Sequence, residues 1–174
     1  DLSKIWELLK NSFDPSSDIE ISVGVLDALD HSSPRPFAGS KIALDLTART
    51  AGEPPRKPAP LASLPDNRKA EIEDFLRKNL GGVSLDKGGR CGKTLLEACA
   101  KSGLFDGFFR AVVLFDAEID VFDKSKTLWK VFNNTDPSRD ILVSPSGAVF
   151  VDACKKGKAD GYEREWPDDL SFDK

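Results

Sequence analysis

The chain is expected to fold as a mixed α/β layer with helices flanking a largely parallel sheet, and three observations carry that expectation. First, residues from Arg110 to Lys156 read as strand, helix, tight turn, strand, strand. An apolar run, Ala111 to Phe115, leads through acidic Asp116-Ala117-Glu118-Ile119-Asp120 to a Trp-bearing amphipathic segment, Lys126 to Asn133. The turn Asp136-Pro137-Ser138-Arg139-Asp140 follows, then apolar runs that end at Val143 and at Val151. Second, most of this unit occurs twice. Third, the stretch before Ala111 alternates strand and helix, which implies right-handed crossovers.

The repeat is specific. Asp14-Pro15-Ser16-Ser17-Asp18 follows its own Trp-bearing helical segment, Ser3 to Asn11, and leads into Ile19-Glu20-Ile21-Ser22 as Asp140 leads into Ile141-Leu142-Val143-Ser144. Lys41-Ile42-Ala43-Leu44-Asp45 stands where Ala148-Val149-Phe150-Val151-Asp152 stands in the later unit. Asp1 aligns with Asp123, so the first unit is read as truncated, lacking a counterpart of the Ala111 strand, and the chain as cut from something longer.

In order along the chain, Ile5, Trp6, Leu8 and Leu9 keep a helical rhythm with Ser3 placed to cap it, and Asp14-Pro15 stops the helix. Ile19, Ile21, Val23 and Val25 alternate as a strand. The loop from Leu26 to Ser40 has no counterpart in the later unit, which makes it either a solvated loop or a place where a functional difference sits. Residues 51–65, with Pro54-Pro55-Arg56-Lys57-Pro58, form a Pro-rich linker. It divides a truncated first unit, 1–50, from a second unit with a C-terminal tail, 66–174. A helix from Asp66 to Leu80 places Ile72, Phe75, Leu76 and Leu80 on one side and stops at Gly81-Gly82. A short strand is expected around Val83-Ser84-Leu85, then a helix from about Lys93 to Lys101 with Leu95, Leu96 and Cys99 inward. The tail around Tyr162 and Trp166 is polar with two large aromatics, a composition that docks on its own domain or on a partner.

Composition removes several functions. A formal charge of -4 with no basic face argues against nucleic acid, and no apolar run is long enough to span a bilayer. Three cysteines without close pairing argue against a disulfide framework or a structural zinc, so a reducing cytoplasm is expected. One histidine, His31, with no nucleophile motif beside it disfavours triad hydrolases.

Three motifs could carry chemistry. Gly88-Gly89-Arg90-Cys91-Gly92-Lys93-Thr94 sits where a phosphate-binding loop would, and Val112 to Asp116 resembles a strand ending in a magnesium-binding Asp. Position 87 is Lys87 rather than glycine, however, which leaves the loop one residue short. The acidic cluster Asp116, Glu118, Asp120, Asp123 could ligate a cation, or Asp123 or Ser125 could cap the following helix. Lys41 either reaches solvent with its stem on apolar surface or contacts an anion as a point charge.

Taken together, several segments resemble the C-terminal region of UbiD-like decarboxylases, the 3-polyprenyl-4-hydroxybenzoate decarboxylase family. They are Glu118-Ile119-Asp120-Val121-Phe122-Asp123, Leu128-Trp129, Asp136 to Asp140, Leu26-Asp27-Ala28-Leu29-Asp30-His31, Gly39 to Thr47, and Arg164-Glu165-Trp166-Pro167. The doubled arrangement looks most like the longer members implicated in menaquinone biosynthesis. The resemblance implies a soluble, oligomeric enzyme that decarboxylates an aromatic or α,β-unsaturated acid in menaquinone or ubiquinone biosynthesis. It implies prenylated FMN held with manganese and potassium by an N-terminal flavin-binding region, with no catalytic residue and no metal ligand in this chain. Lys41, with Ser40 beside it, matches the Gly-Ser-Lys strand that lies near the cofactor phosphate in relatives, and His31 matches a loop without an assigned role. Ala43 and Leu46 depart from a more usual glycine and alanine. This part of the enzyme is expected to close one side of the cofactor cleft or to hold subunits together, and to bind no cofactor alone. The rivals are a free-standing assembly module of the same fold and a small nucleotide binder.

Overall fold

The computed structural model describes residues 2–25, 30–58, 60–80 and 91–167. Its elements are α1 (Leu2–Asn11), β1 (Ile19–Val25), β2 (Ala38–Leu44), α2 (Asp66–Leu80), α3 (Gly92–Ser102), β3 (Ala111–Leu114), α4 (Lys124–Asn134), α5 (Pro137–Asp140), β4 (Ile141–Val143) and β5 (Val149–Asp152). A one-turn 3-10 helix, Lys158–Asp160, follows. The fold is mixed α/β, with helices flanking a three-stranded sheet and a separate two-stranded one.

In the second unit β5 lies between β3, to which it is parallel, and β4, to which it is antiparallel. All four β5 residues are buried, as a central strand covered on both faces requires. Side chains alternate across it. Phe150 faces the same side as its neighbours Val112 and Leu142, and packs with Leu95, Leu96 and Cys99 of α3, Ile72 of α2 and Phe105. Val149 and Val151 face the other side, against Val113, Ile141, Val131 of α4 and Leu9 and Phe13 of the first unit.

The first unit repeats the hairpin in the same register. Ile19 pairs with Leu44 across β1 and β2, as Ile141 pairs with Val151 across β4 and β5. The repeated turns close alike: Asp14 donates its amide to Asp18 Oδ2 at 2.9 Å, and Asp136 donates to Asp140 Oδ2 at 2.8 Å. In each turn the first Asp also accepts from the serine two residues on, Ser16 or Ser138, through both amide and hydroxyl.

Each turn buries a carboxylate that needs a cation. Asp140 is bound by Arg139 through Nε at 2.7 Å and Nη2 at 2.6 Å, with Lys156 Nζ 3.7 Å away; Lys156 also lies 3.2 Å from Asp152. In the first unit Asp18 is bound by Arg49 and, at 2.6 Å, by Arg56 Nε. Arg49 stands four residues after Asp45 and pairs with it at 3.1 Å, as Lys156 does with Asp152, so the repeat extends to the cation.

The two units are bolted together. Ser40, buried in β2, donates its hydroxyl to Asp136 Oδ1 and accepts the Ser138 amide at 2.7 Å, while its own amide reaches Asp136 Oδ2 at 3.3 Å. Residues 51–58 and 60–65 hold no helix or strand, yet Arg56 ties them to Asp18, Thr47 and Asp45, and the Lys57 amide donates to Asp14. This segment is a strap held to the first unit through Arg56 and Lys57 and to the second through the Ala62 amide, which donates to the Gly107 carbonyl at 2.8 Å.

Two sequence expectations shift. The first helix begins at Leu2, so Ser3 lies inside it rather than at its cap. The parallel component seen is the β3–β5 pair; the strand expected near 83–85 and the glycines at 88 and 89 lie outside the described residues. The α2 and α3 helices stand where their spacing put them, and Asp123 caps α4 by accepting the Lys126 amide at 3.0 Å.

Replacing fully buried Lys156 with Met leaves Asp140 and Asp152 short of a charge, which is expected to cost about 3–5 kcal/mol. Urea unfolding of the variant checks this, with a midpoint near that of the parent as the contrary result.

Candidate functional site

The two units differ in what covers their hairpins. In the second, the Phe150 face is buried under α2 and α3. In the first, the corresponding face of β1–β2 carries Glu20, Ser22, Gly24, Lys41 and Ala43, all exposed, with Gly39 buried at its end. Lys41 replaces Ala148 and Ala43 replaces Phe150, so the residues that would make a core are small or charged. The same scaffold builds an open polar wall instead.

Loop 30–37 and the C-terminal tail frame this wall. Lys41, whose side chain is 63% exposed, donates Nζ to Asp30 Oδ2 at 2.5 Å, and Asp30 also accepts from the Ser32 amide and hydroxyl at 3.2 and 2.6 Å. Burial pushes the Asp30 carboxyl up, but the Lys41 and Ser32 donors outweigh it and hold it below the usual carboxylate range. The tail fixes this loop from its other side. Tyr162, buried, donates its hydroxyl to the His31 carbonyl at 2.7 Å, Arg164 donates to the Asp30 carbonyl at 3.0 Å, and Trp166 meets the His31 ring edge-on at 5.2 Å. Arg139, already clamped on Asp140, donates to the Ser32 carbonyl at 2.9 Å. The aromatic tail therefore docks on the loop that the second unit lacks.

An open cleft of about 480 Å³ lies beside the loop, lined by Pro34, Arg35, Arg139, Asp160, Gly161 and Glu163. Its two cations and two anions give it no strong preference for either sign of ligand. Phe37, just before β2, holds φ at 63°, a left-handed value that costs a non-glycine residue energy and marks the loop as set by its surroundings.

The expected site residues separate here. Lys41 is available to solvent, with Asp30 as its partner. Ser40 turns inward, and its hydroxyl is committed to Asp136 and Ser138. The His31 side chain is half-buried beside Asn134. Burial lowers its pKa, against the opposing pull of Asp30 and Asn134, while Arg164 and Lys130 add to the lowering. The sequence reading passed over Asp30, although Asp-x-Ser, the signature of the two repeated turns, recurs at Asp30-His31-Ser32 and, with threonine, as Asp45-Leu46-Thr47.

The other motifs are absorbed by structure. The α3 N-terminal amide of Gly92 donates to Asp160 Oδ1 at 2.7 Å, so a carboxylate of the chain already sits where a phosphate would bind. Asp116 accepts the Lys155 amide at 2.8 Å, Asp120 accepts from Phe122, Asp123 caps α4, and Glu118 lies 3.4 Å from Lys155 Nζ. Among the described residues no group of three or more His, Cys, Asp or Glu is arranged to hold a metal. Burial pushes the Cys99 thiol up to about 11, which makes it unreactive near neutral pH. No helix among the described residues is long and apolar enough to cross a membrane.

The geometry defines a duplicated α/β domain whose second unit is a closed core and whose first unit presents a polar wall. Residues 78–156 match the family model of the 3-octaprenyl-4-hydroxybenzoate carboxy-lyase C-terminal domain, so this region is similar to a UbiD-like C-terminal region. The chain is 31% identical over 96% of its length to an uncharacterized protein of Helicobacter pylori strain 26695, and equally to one of strain J99. It spans only 28% of each. An uncharacterized protein of Archaeoglobus fulgidus is 32% identical over 37% of this chain and 17% of its own length. No solved structure matches.

His31 gives the site a pH signature. With its folded pKa below the unfolded value of about 6.5, the unfolded chain binds more protons there, so stability falls as pH drops below that value. His31→Gln is expected to flatten this part of the curve of urea midpoint against pH; an unchanged slope would place its cause elsewhere.

Proposed function

We propose that this chain is the C-terminal part of a prenylated-flavin-dependent decarboxylase acting on an aromatic or α,β-unsaturated carboxylic acid in menaquinone or ubiquinone biosynthesis. The match of residues 78–156 to a carboxy-lyase C-terminal domain is the observation that carries this reading. The N-terminal region of the same protein supplies the flavin-binding pocket, the manganese and potassium sites and the catalytic groups. The open wall of β1–β2 closes one side of that pocket.

The residues present suit the cofactor's phosphate end. Lys41 offers an exposed ammonium, Ala43 leaves space beside it where the second unit has Phe150, and among the described residues nothing lies against Gly24 on the neighbouring strand. When bound, prenylated FMN supplies an electron sink for the carbon left by departing carbon dioxide. The role of this chain is to bind and orient. Lys41 meets the phosphate, Asp30 orients the ammonium from the other side, and Ser40 positions the strand through Asp136 without touching the cofactor. The loop and tail over Asp30 and His31 help exclude water from that side.

A second role rests on a separate observation. Phe122, Trp129 and Phe132, on and just before α4, are 91%, 51% and 71% exposed, an apolar surface that supports subunit contact in a homo-oligomer.

Lys41→Ala in the complete enzyme is expected to weaken FMN binding roughly 10- to 100-fold, the loss of one charge-assisted hydrogen bond. Flavin content per chain and a fluorescence titration with FMN measure it. Unchanged affinity would remove Lys41 from the cofactor site and leave the wall without an anion contact.

A further inference from the structure

The repeat makes a definite statement about the outer edge of β2. In the second unit that position is filled: β3 runs parallel to β5, pairing Val112 with Phe150 and Val113 with Val151. The bonds at its two ends are the Val149 amide to the Arg110 carbonyl at 2.8 Å and the Ala153 amide to the Leu114 carbonyl at 2.9 Å. Among the described residues β2 has β1 as its one partner strand, and its other edge carries none.

The backbone of β2 is phased to receive such a strand. Asp45 donates its amide to the Asp18 carbonyl at 2.9 Å, which places Asp45, and by alternation Ala43 and Lys41, in bonded pairs with β1. The amides of Ile42 and Leu44 therefore point the other way. Ser40, in the same phase, confirms the direction, because its amide leaves the hairpin for Asp136. Ile42 and Leu44 are the counterparts of Val149 and Val151, and Leu46 of Ala153, whose amides face β3. Exposure agrees with the empty edge: Leu44 is 40% exposed, against 8% for Val151.

We propose that the outer edge of β2 is a docking site for one parallel strand, supplied by the same polypeptide ahead of α1. The occupant is a counterpart of β3: a short apolar strand paired with Ile42, Ala43, Leu44 and Asp45. It ends on an acidic residue, as β3 leads to Asp116, whose carboxylate takes the Lys155 amide; in the first unit the equivalent carboxylate would face the amide of Ala48. Residues 115–123 join β3 to α4, so the docking strand lies about as far ahead of α1. The Helicobacter relatives have room for such a strand, because this chain covers only 28% of their length. An unpaired apolar edge of this kind is otherwise a template for aggregation. The inference rests on the repeat and the backbone phase alone and stands whatever the chemistry of the enzyme.

The test uses the gene product at its native length. Amide hydrogen exchange is measured at Ile42, Leu44 and Leu46 in the unmodified protein, and p-benzoylphenylalanine placed at position 44 is photo-cross-linked and mapped by mass spectrometry. Exchange slowed roughly 100-fold or more relative to an unpaired loop, with a cross-link to a peptide upstream of Asp1, is the expected result. Fast exchange at the three amides overturns the proposal. So does a cross-link that fails to form or that lands only within residues 1–174 of the same or a second, isotope-marked copy. A native product no longer than this chain overturns it as well.

Discussion

The interaction on which this structure depends is the bond between Ser40 and Asp136. Asp136 begins the second unit's turn, where its carboxylate already serves Ser138, and Ser40 inserts a hydroxyl from the first unit between the two. Ser40 and Asp136 are both buried, so losing either leaves a desolvated polar partner behind. Because Lys41 is the next residue along β2, the bolt that joins the units also sets the strand from which the lysine reaches out.

The buried charges follow the same plan in both units. A turn that buries an aspartate at the head of a strand is stable only if a cation comes to it. Arg49 and Lys156 provide it from equivalent places just past the second strand of each hairpin. Burial pushes the Asp140 carboxyl up in spite of Arg139 and Lys156, which shows how costly the position would be without them. The units diverge where these constraints end. With the turn, the register and the cation alike in both, one face of the first hairpin carries Ala43 and Lys41 where the second carries Phe150 and Ala148.

Much of this was legible in the residues. The duplication, the capping of α4 by Asp123, the inward faces of α2 and α3 and the placing of Lys41 on a strand all follow from spacing and residue type. What was not legible arises from contacts distant in sequence. Nothing local in Gly39-Ser40-Lys41 tells that Ser40 turns inward to Asp136 and Lys41 outward to Asp30, because the direction of a strand residue is fixed by its partner strand. The match between Arg49 and Lys156 was hidden by the change of residue type. The Pro-rich strap reads as a linker in composition, and only the placement of Arg56 against Asp18 shows it held.

The central claim is that the two repeats act as one body through this bond, and a double-mutant cycle tests it most directly. Ser40→Ala, Asp136→Ala and the double variant would be compared with the parent by urea unfolding. A coupling energy of about 1–3 kcal/mol is predicted. Effects that add to within about 0.3 kcal/mol would show that Ser40 and Asp136 do not stabilise one another and would contradict the account.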